Sequence, residues 1–389
     1  MVTRDVAAAS IIGAPSPRRA LTLLWVGLWS LLATTLVGLA WDRAWHATHV
    51  FDTFYSPPHL FIYISTMATT CLVAYMWFDA DVHAEVGSGP LMLLGGGFAT
   101  LALAGVLDDV WHSSFGLDET GWSFPHAMLG KGWLLVCLGF ISARLALAER
   151  SPVSWYARAF LGWLALAFSL TPFLGPLHTN RTPETVAAVA RIPALAAQPA
   201  FQHAFRIYEA WGLDRTSPLL VLFGALWAGA AVAFLCRLER RTWLVLLVLG
   251  AWTVFQFVEG RGYVRRFEPF DAVVGGQPAA WLPLPVLPAA LVYLGARRVR
   301  LAEVAAWLLA GLVFGSSVLR FWTAPTALGP ALVLLAVPLC LTGAWLGTRT
   351  ARIVERPSRS ALVYLVVLVG LAWPFVGGLA DLYLRWSTP

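Results

Sequence analysis

Residues 20–41 read ALTLLWVGLWSLLATTLVGLAW and run directly into residues 42–59, DRAWHATHVFDTFYSPPH. The first stretch is apolar over the length of about 20 residues that a helix needs to cross a bilayer. The second stretch holds three histidines and two aspartates within one short segment. This junction predicts a transmembrane helix whose end carries side chains of the metal-ligand type.

The junction is one of a series, because apolar runs of similar length recur along the 389-residue chain. Hydrophobic residues make up 59% of it and charged residues 12%, whereas a soluble domain carries about 25% charged residues. We therefore predict an all-α, polytopic transmembrane protein of about eleven spans, in a range of roughly ten to twelve. The eighth range is short and rich in proline, so a kinked, re-entrant or interfacial segment is an alternative there. The predicted spans are 20–41, 58–78, 90–111, 126–147, 157–177, 217–236, 242–259, 282–296, 301–320, 328–346 and 361–384.

Arginine clusters set the predicted orientation. With eleven spans, the clusters that begin at Arg4, Arg144, Arg237, Arg297 and Arg349 fall on one side, which the positive-inside rule makes cytoplasmic. The N-terminus is then cytoplasmic, in an inner or plasma membrane, and the polar run after the first span lies at the outer face. The net charge of +6 follows from this bias and favours anionic lipid, so we predict no nucleic-acid partner.

Chemistry-bearing residues concentrate in the first part of the chain. We divide it into a membrane domain, residues 1–150, which carries a duplicated metal-site hairpin, and a second helical membrane domain, residues 151–389. The second domain has two predicted outer loops, residues 178–216 and 260–281. The four cysteines lie within predicted spans, far apart in sequence, and indicate neither a disulfide framework nor a C-x-x-C site.

A sequence repeat links two of the predicted hairpins. DRAWH at 42–46 recurs as DDVWH at 108–112, and SPPH at 56–59 recurs as SFPH at 123–126. In both copies an acid stands six positions after the first histidine, and the copy joins the end of one span to the start of the next. Self-similarity of this kind favours a duplicated unit, although convergence on the same chemistry gives the same pattern.

The first copy has the composition of a metal site. Asp42 and His46 lie one helical turn apart and share a face, and His59 returns after a proline-containing turn. Imidazoles with one carboxylate suit copper, zinc or iron, and three protein ligands leave an open position, as in catalytic sites. We predict these three residues as metal ligands and as the catalytic group. Asp52 is a candidate hydrogen-bond partner for a ligand imidazole, and His49 is a spare donor.

The second copy predicts the same kind of site. Asp108, His112 and His126 would be its ligands, with Asp118 and Glu119 as partners for imidazole N–H groups. A single Trp-His at a helix end is more often interfacial decoration, since such rings sit at headgroup level. Two copies of one acid and histidine spacing favour metal binding instead. The sequence leaves open whether the two groups form two sites or one dinuclear site.

Both motifs resemble those of a known family. Asp42-x3-His46-x12-His59 resembles the metal site in the C subunit of the copper membrane monooxygenases, which oxidise methane or ammonia. That subunit has a second motif, Asn-x3-His-x13-His with two acids between, and residues 108–126 are similar to it except for Asp in the first place. The resemblance covers roughly residues 25–145 and implies copper as cofactor and other monooxygenase-type subunits as partners. The additional spans and the lack of a cupredoxin-like domain depart from the family.

We therefore expect a membrane-bound copper protein that is a monooxygenase-like oxidoreductase or a subunit of one. It would sit in the lipid bilayer as an oligomer and use oxygen on a small apolar substrate at the outer face. A metal transporter or metal-delivery protein is one alternative, but it needs ligands that continue through the membrane, and the five methionines form no such ladder. A non-catalytic, metal-stabilised subunit of a larger complex is another, so the sequence does not decide whether the chain is an enzyme.

Overall fold

The computed structural model describes residues 18–39, 41–42, 45, 55–115, 124–148, 150–170, 219–266, 285–321 and 329–372, together with 374–375 and 379. Over these ranges the chain is helical and contains no β-strand. The α-helices are α1 (Arg18–Ala33), α2 (Pro57–Phe78), α3 (Ala80–Val86), α4 (Ser88–Phe115), α5 (Phe124–Ala146), α6 (Trp155–Leu170), α7 (Leu219–Leu238), α8 (Thr242–Arg266), α9 (Val286–Arg298), α10 (Glu303–Phe321), α11 (Gly329–Glu355) and α12 (Arg359–Leu365). Two of them continue as π-helix, α1 through Thr34–Leu39 and α12 through Val366–Ala372.

The protein is an all-α, multi-pass membrane protein. Six helices within the described ranges are long and apolar enough to cross a bilayer, namely α2, α4, α5, α7, α10 and α11. Two shorter apolar helical segments, Thr242–Phe255 and Arg359–Ala372, add to them. A described helix overlaps every one of the eleven predicted spans, but the number of spans that cross the membrane stays a prediction.

Two helices extend where the sequence indicated loops. The helix α8 continues to Arg266, so the predicted outer loop 260–281 begins in helix, and residues 267–281 lie outside the described ranges. Between α2 and α4, Asp79 starts the short helix α3 by accepting a hydrogen bond from the Val82 amide at 3.0 Å. Side-chain oxygens satisfy the unpaired amides of a first helical turn in this way. The predicted loop 178–216 lies outside the described ranges.

The buried hydrophobic residues fall into two clusters. One draws mainly on α1 to α6, and the other mainly on α7 to α11. The sequence division near residue 150 stays a prediction. Ala351 and Val354 at the end of α11, with Leu362 and Leu365 of α12, return to the first cluster, so the last helices pack on both halves.

Glycines bring the helices α4 and α5 into close contact. A Cβ added at Gly97 would lie 2.8 Å from the Val136 amide nitrogen, and one added at Gly132 would lie 2.7 Å from Leu101 Cγ. Small residues let membrane helices approach this closely, which supplies packing that lipid cannot. The helices run antiparallel, so residues nearer the end of α4 lie beside residues nearer the start of α5. Asp108, close to the end of α4, therefore lies beside the first residues of α5.

A second close contact holds α7 against α11. A Cβ at Gly229 would collide with the backbone oxygen of Cys340, and one at Gly343 or Gly347 would collide with the backbone of Leu226 or Ala230. The pair therefore packs backbone to backbone through small residues on both helices. This contact organises the second cluster of buried residues and lies away from the repeated motifs.

Candidate metal centre

The first hairpin places an aspartate against a histidine. Hydroxyl pairs align α1 with α2, since Ser30 Oγ lies 2.7 Å from Thr69 Oγ1 and the hydroxyls of Thr34 and Ser65 are 2.7 Å apart. In this antiparallel register, Asp42, which lies beyond the end of α1, is beside the start of α2. Here His59 Nε2 lies 2.9 Å from a carboxylate oxygen of Asp42.

The start of α2 explains why His59 faces this acid. Pro57 and Pro58 occupy the first two positions of the helix, where proline is tolerated because those amides have no intrahelical partner. The third position is His59, whose ring centroid lies 6.0 Å from that of Tyr63. The side chains of Asp42 and His59 are 20% and 17% exposed, so the pair is sheltered but still reachable from the surface.

The second hairpin repeats the contact. His126 Nδ1 lies 3.1 Å from a carboxylate oxygen of Asp108. The acid that the repeat aligns with Asp42 is the one that faces inward: Asp108 is buried at 8% exposure, whereas its neighbour Asp109 is exposed. Trp111, also 8% exposed, covers the same face one turn on.

The two histidines occupy equivalent places. Each is the third residue of its helix and follows a buried proline, Pro58 in α2 and Pro125 in α5. Each contacts the aspartate with which its copy of the repeat begins, Asp42 or Asp108. The sequence repeat is therefore also a structural repeat over these residues. The ring nitrogens differ, because His59 uses Nε2 and His126 uses Nδ1.

Several predicted site residues lie outside what the structure describes. These are His46, His49, Asp52, Asp118 and Glu119. The backbone of His112 is part of α4, one turn beyond Asp108 as the spacing predicted, but its side chain is outside the description. The described side chains therefore include only two members of each predicted triad, the aspartate and the second histidine. Among the described side chains, no group of three His, Cys, Asp or Glu residues could hold a metal ion.

The paired atoms suit a shared metal ion by distance and by chemistry. Ligands at about 2.0–2.2 Å from a metal lie about 2.8–3.1 Å from each other in square geometry and about 3.3–3.6 Å in tetrahedral geometry. The observed oxygen to nitrogen separations of 2.9 and 3.1 Å agree with the square arrangement. The same distances also fit a carboxylate that orients an imidazole by a hydrogen bond, which is the usual partner of a ligating histidine. A third ligand from position 46 or 112 distinguishes the two arrangements.

One buried residue near the second pair was not anticipated from the sequence. Lys131 is 1% exposed and follows His126 by a little more than one turn on α5. Ionisable residues inside membrane helices are costly and mark functional positions by default. The sequence could have indicated this position, since Lys131 is the only lysine or acid between residues 124 and 146, within a predicted span.

His83 has a structural role, in contrast to the two histidines that contact aspartates. The His83 ring donates from Nδ1 to the Trp77 carbonyl at 2.8 Å, and its Nε2 lies 2.9 Å from Ser88 Oγ. Neighbouring Asp79 pairs with Arg19 at 3.0 Å and accepts from Tyr75 at 2.9 Å. These contacts tie α1, α2, α3 and α4 together at the other end of the helices, without an acid on the imidazole.

Comparison of the chain with models of protein families, with curated proteins and with solved structures finds no match. The resemblance to the monooxygenase C subunit stays a prediction from residues 25–145.

Proposed function

We propose that this membrane protein binds copper through its two repeated motifs and acts as an oxygen-using, monooxygenase-like oxidoreductase or as a subunit of one. Asp42, His46 and His59 would hold the ion at which a small apolar substrate reacts. Asp108, His112 and His126 would hold a second ion. Copper would supply oxygen activation when bound, with zinc or iron as the alternative metals for the same donors.

One observation carries the proposal: the same carboxylate to imidazole contact occurs twice, at equivalent positions of two helices. Interfacial histidines need no acid partner, whereas metal-ligating histidines regularly have a carboxylate as co-ligand or as hydrogen-bond partner. The surroundings support an apolar substrate. Exposed aromatic residues Trp41 and Tyr55 flank the first pair, and a substrate that arrives through lipid needs few polar contacts.

Elemental analysis of the protein purified in mild detergent after copper-replete growth tests the proposal. We expect bound copper in the wild-type protein, and loss of one equivalent in His59→Ala or His126→Ala if the sites are separate. Loss of all copper in either variant would indicate one dinuclear site. His46→Ala and His112→Ala should reproduce the losses of their partners.

His83→Ala is the matched control, since His83 has ordinary structural contacts at the other end of the same helices. It should leave the copper content unchanged. A protein without bound metal, or one whose metal content responds equally to His83→Ala and His59→Ala, would contradict the proposal. Oxygen consumption with a small alkane or ammonia as substrate then separates an enzyme from a non-catalytic, metal-stabilised subunit. Copper uptake into vesicles tests the transporter alternative.

A further inference from the structure

The chain has a single lysine, and it lies inside a membrane helix. Among the 27 lysine and arginine residues, Lys131 is the only lysine. It is 1% exposed on α5, a helix long and apolar enough to cross the bilayer. Arginine keeps its charge in proteins, whereas lysine can lose its proton there. The ability to release a proton therefore distinguishes this position from every other basic residue of the chain.

Lys131 lies on α5 near the place where α4 and the π-helical segment Val366–Ala372 meet this helix. A Cβ added at Gly370 would lie 3.0 Å from Thr100 Oγ1 of α4 and 3.2 Å from Leu135 Cδ1 of α5. Lys131 precedes Leu135 by one turn, so the two residues share a face of α5. Water screens charges poorly in such a buried place, and a charge on Lys131 therefore acts strongly on its surroundings.

The second Asp–His pair lies nearer to the start of α5 than Lys131 does. His126 precedes Lys131 by five residues, a rise of about 7.5 Å along an α-helix, and side chains on a helix lean toward its start. Of the described residues packed at this level, α4 contributes the carboxylate of Asp108 and α5 itself contributes the His126 imidazole. The segment Val366–Ala372 has no ionisable side chain. Lys131 thus acts mainly on this pair and on an ion bound to it.

The first copy of the repeat has an apolar residue in the equivalent place. The fifth residue after His59 is Ile64, which is 70% exposed, whereas the fifth residue after His126 is the buried Lys131. Both copies keep the aspartate and the two histidines of the motif. The fold of the hairpin therefore does not require a lysine here, and the amine is a chemical difference between the two sites.

We propose that Lys131 exchanges its proton for the metal ion of the second site. With the site empty, the ammonium of Lys131 balances the carboxylate of Asp108. When Cu(I) binds, one N–H bond of the ammonium breaks, its electron pair stays on the nitrogen as the lone pair of a neutral amine, and the proton leaves for solvent. The total charge stays the same, which limits the cost of burying the ion. The inference rests on the proposed metal binding by the second motif.

Proton counting during metal binding tests this exchange. The metal-free protein carrying His59→Ala, which keeps only the second site, is titrated calorimetrically with Cu(I) in buffers of different ionisation enthalpy at pH 6, 7 and 8. We expect about one more proton released per Cu(I) than from the same protein with Lys131→Met. Two unit charges roughly 8 Å apart at an effective dielectric constant near 20 change an affinity about thirtyfold. Lys131→Arg, whose charge stays, should therefore bind Cu(I) about thirtyfold more weakly than Lys131→Met.

Ile64→Met is the matched control, because Ile64 occupies the equivalent position of the first hairpin. It should leave the proton count of the second site unchanged. Equal proton counts with Lys131 and with Lys131→Met at all three pH values, while Cu(I) still binds, would overturn the exchange and leave the proposed copper binding intact. A second motif that binds no Cu(I) in the presence of Lys131 would contradict the proposed function itself, and the exchange with it.

A spectroscopic measurement on the wild-type chain covers the case in which the Lys131 variants fail to fold. Because Lys131 is the only lysine, protein grown with lysine labelled with nitrogen-15 at Nζ gives one side-chain signal. Its chemical shift should report the ammonium before, and the neutral amine after, addition of Cu(I), which is diamagnetic. A signal that Cu(I) leaves unchanged at all three pH values would overturn the exchange.

Discussion

The two repeated hairpins bring an acid to a histidine by different packing. Hydroxyl pairs join α1 to α2, Ser30 with Thr69 and Thr34 with Ser65. Only 17% of the residues in the most apolar stretch of α2 are buried. Glycine contacts join α4 to α5, and 78% of α5 is buried. Yet the resulting Asp–His separations differ by only a few tenths of an ångström. The repeat therefore preserves the chemical groups and their register, whereas the means of holding the helices together is free to vary.

The largest expected effect concerns the glycine contact of the second hairpin. Gly97→Ala puts a methyl group 2.8 Å from the Val136 backbone, which cannot move without shifting α5. We expect the free energy of unfolding to fall by about 1–3 kcal/mol, as for other overpacked positions. Thermal unfolding in detergent measures this effect. The metal content of the second site should fall while that of the first is kept.

Gly95→Ala is the matched control for that substitution, because nothing lies within 4 Å of a Cβ at Gly95 on the same helix. It should leave the unfolding temperature unchanged or slightly raised. If both alanine variants lose the same stability, close packing of α4 on α5 is not what holds the second pair in register.

The second prediction sets the two acids against each other. The family resemblance has Asn in the place of Asp108 and Asp in the place of Asp42. Asp108→Asn should thus keep its metal, whereas Asp42→Asn should weaken metal binding at least about tenfold, the lower limit for loss of a supporting carboxylate. Titration of the metal-free variants with Cu(I) and a competing chelator measures both affinities. Equal losses would show that the two acids have the same role.

The smallest effect is expected at the hydroxyl contacts of the first hairpin. Thr34 is 1% exposed, and Thr34→Val keeps its shape but removes the contact with Ser65. Hydrogen bonds between membrane helices contribute about 0.6 kcal/mol on average, so we expect a stability loss of that order. Thr70→Val is the control, because Thr70 bonds only to the Thr66 carbonyl within its own helix. If Thr34→Val lowers the free energy of unfolding more than Thr70→Val does, the difference is the contribution of the contact between the helices.

Much of the fold could be predicted from hydropathy, because each apolar run becomes a helix in the described ranges. The short α9 was also predictable, since Pro283 and Pro285 precede it and Pro288 falls in its first turn. The end of α8 was not. A hydropathy window stops at Glu259, where charges begin, but backbone hydrogen bonding continues through Arg266, and no proline interrupts it before position 269.

The candidate site was predictable in its pairs and unpredictable in its details. Spacing alone brought Asp42 to His59 and Asp108 to His126, because each acid and histidine flank one loop between neighbouring helices. Spacing also selected Asp108 over Asp109, since Asp108-x3-His112 matches Asp42-x3-His46. The choice of ring nitrogen, Nε2 in His59 and Nδ1 in His126, does not follow from spacing.

The π-helical segment Thr34–Leu39 places one additional residue between the helix α1 and Asp42. A π turn holds one residue more than an α turn, with i to i+5 hydrogen bonds. Deleting a single residue there would therefore restore an α turn and leave the residues beyond it on the same face. A deletion at an α-helical position of α1 such as Leu23 would instead rotate everything beyond it by about 100°, and Asp42 would turn away from His59. The contact between Asp42 and His59 thus tolerates a deletion in the π-helical segment better than one in the preceding α-helix.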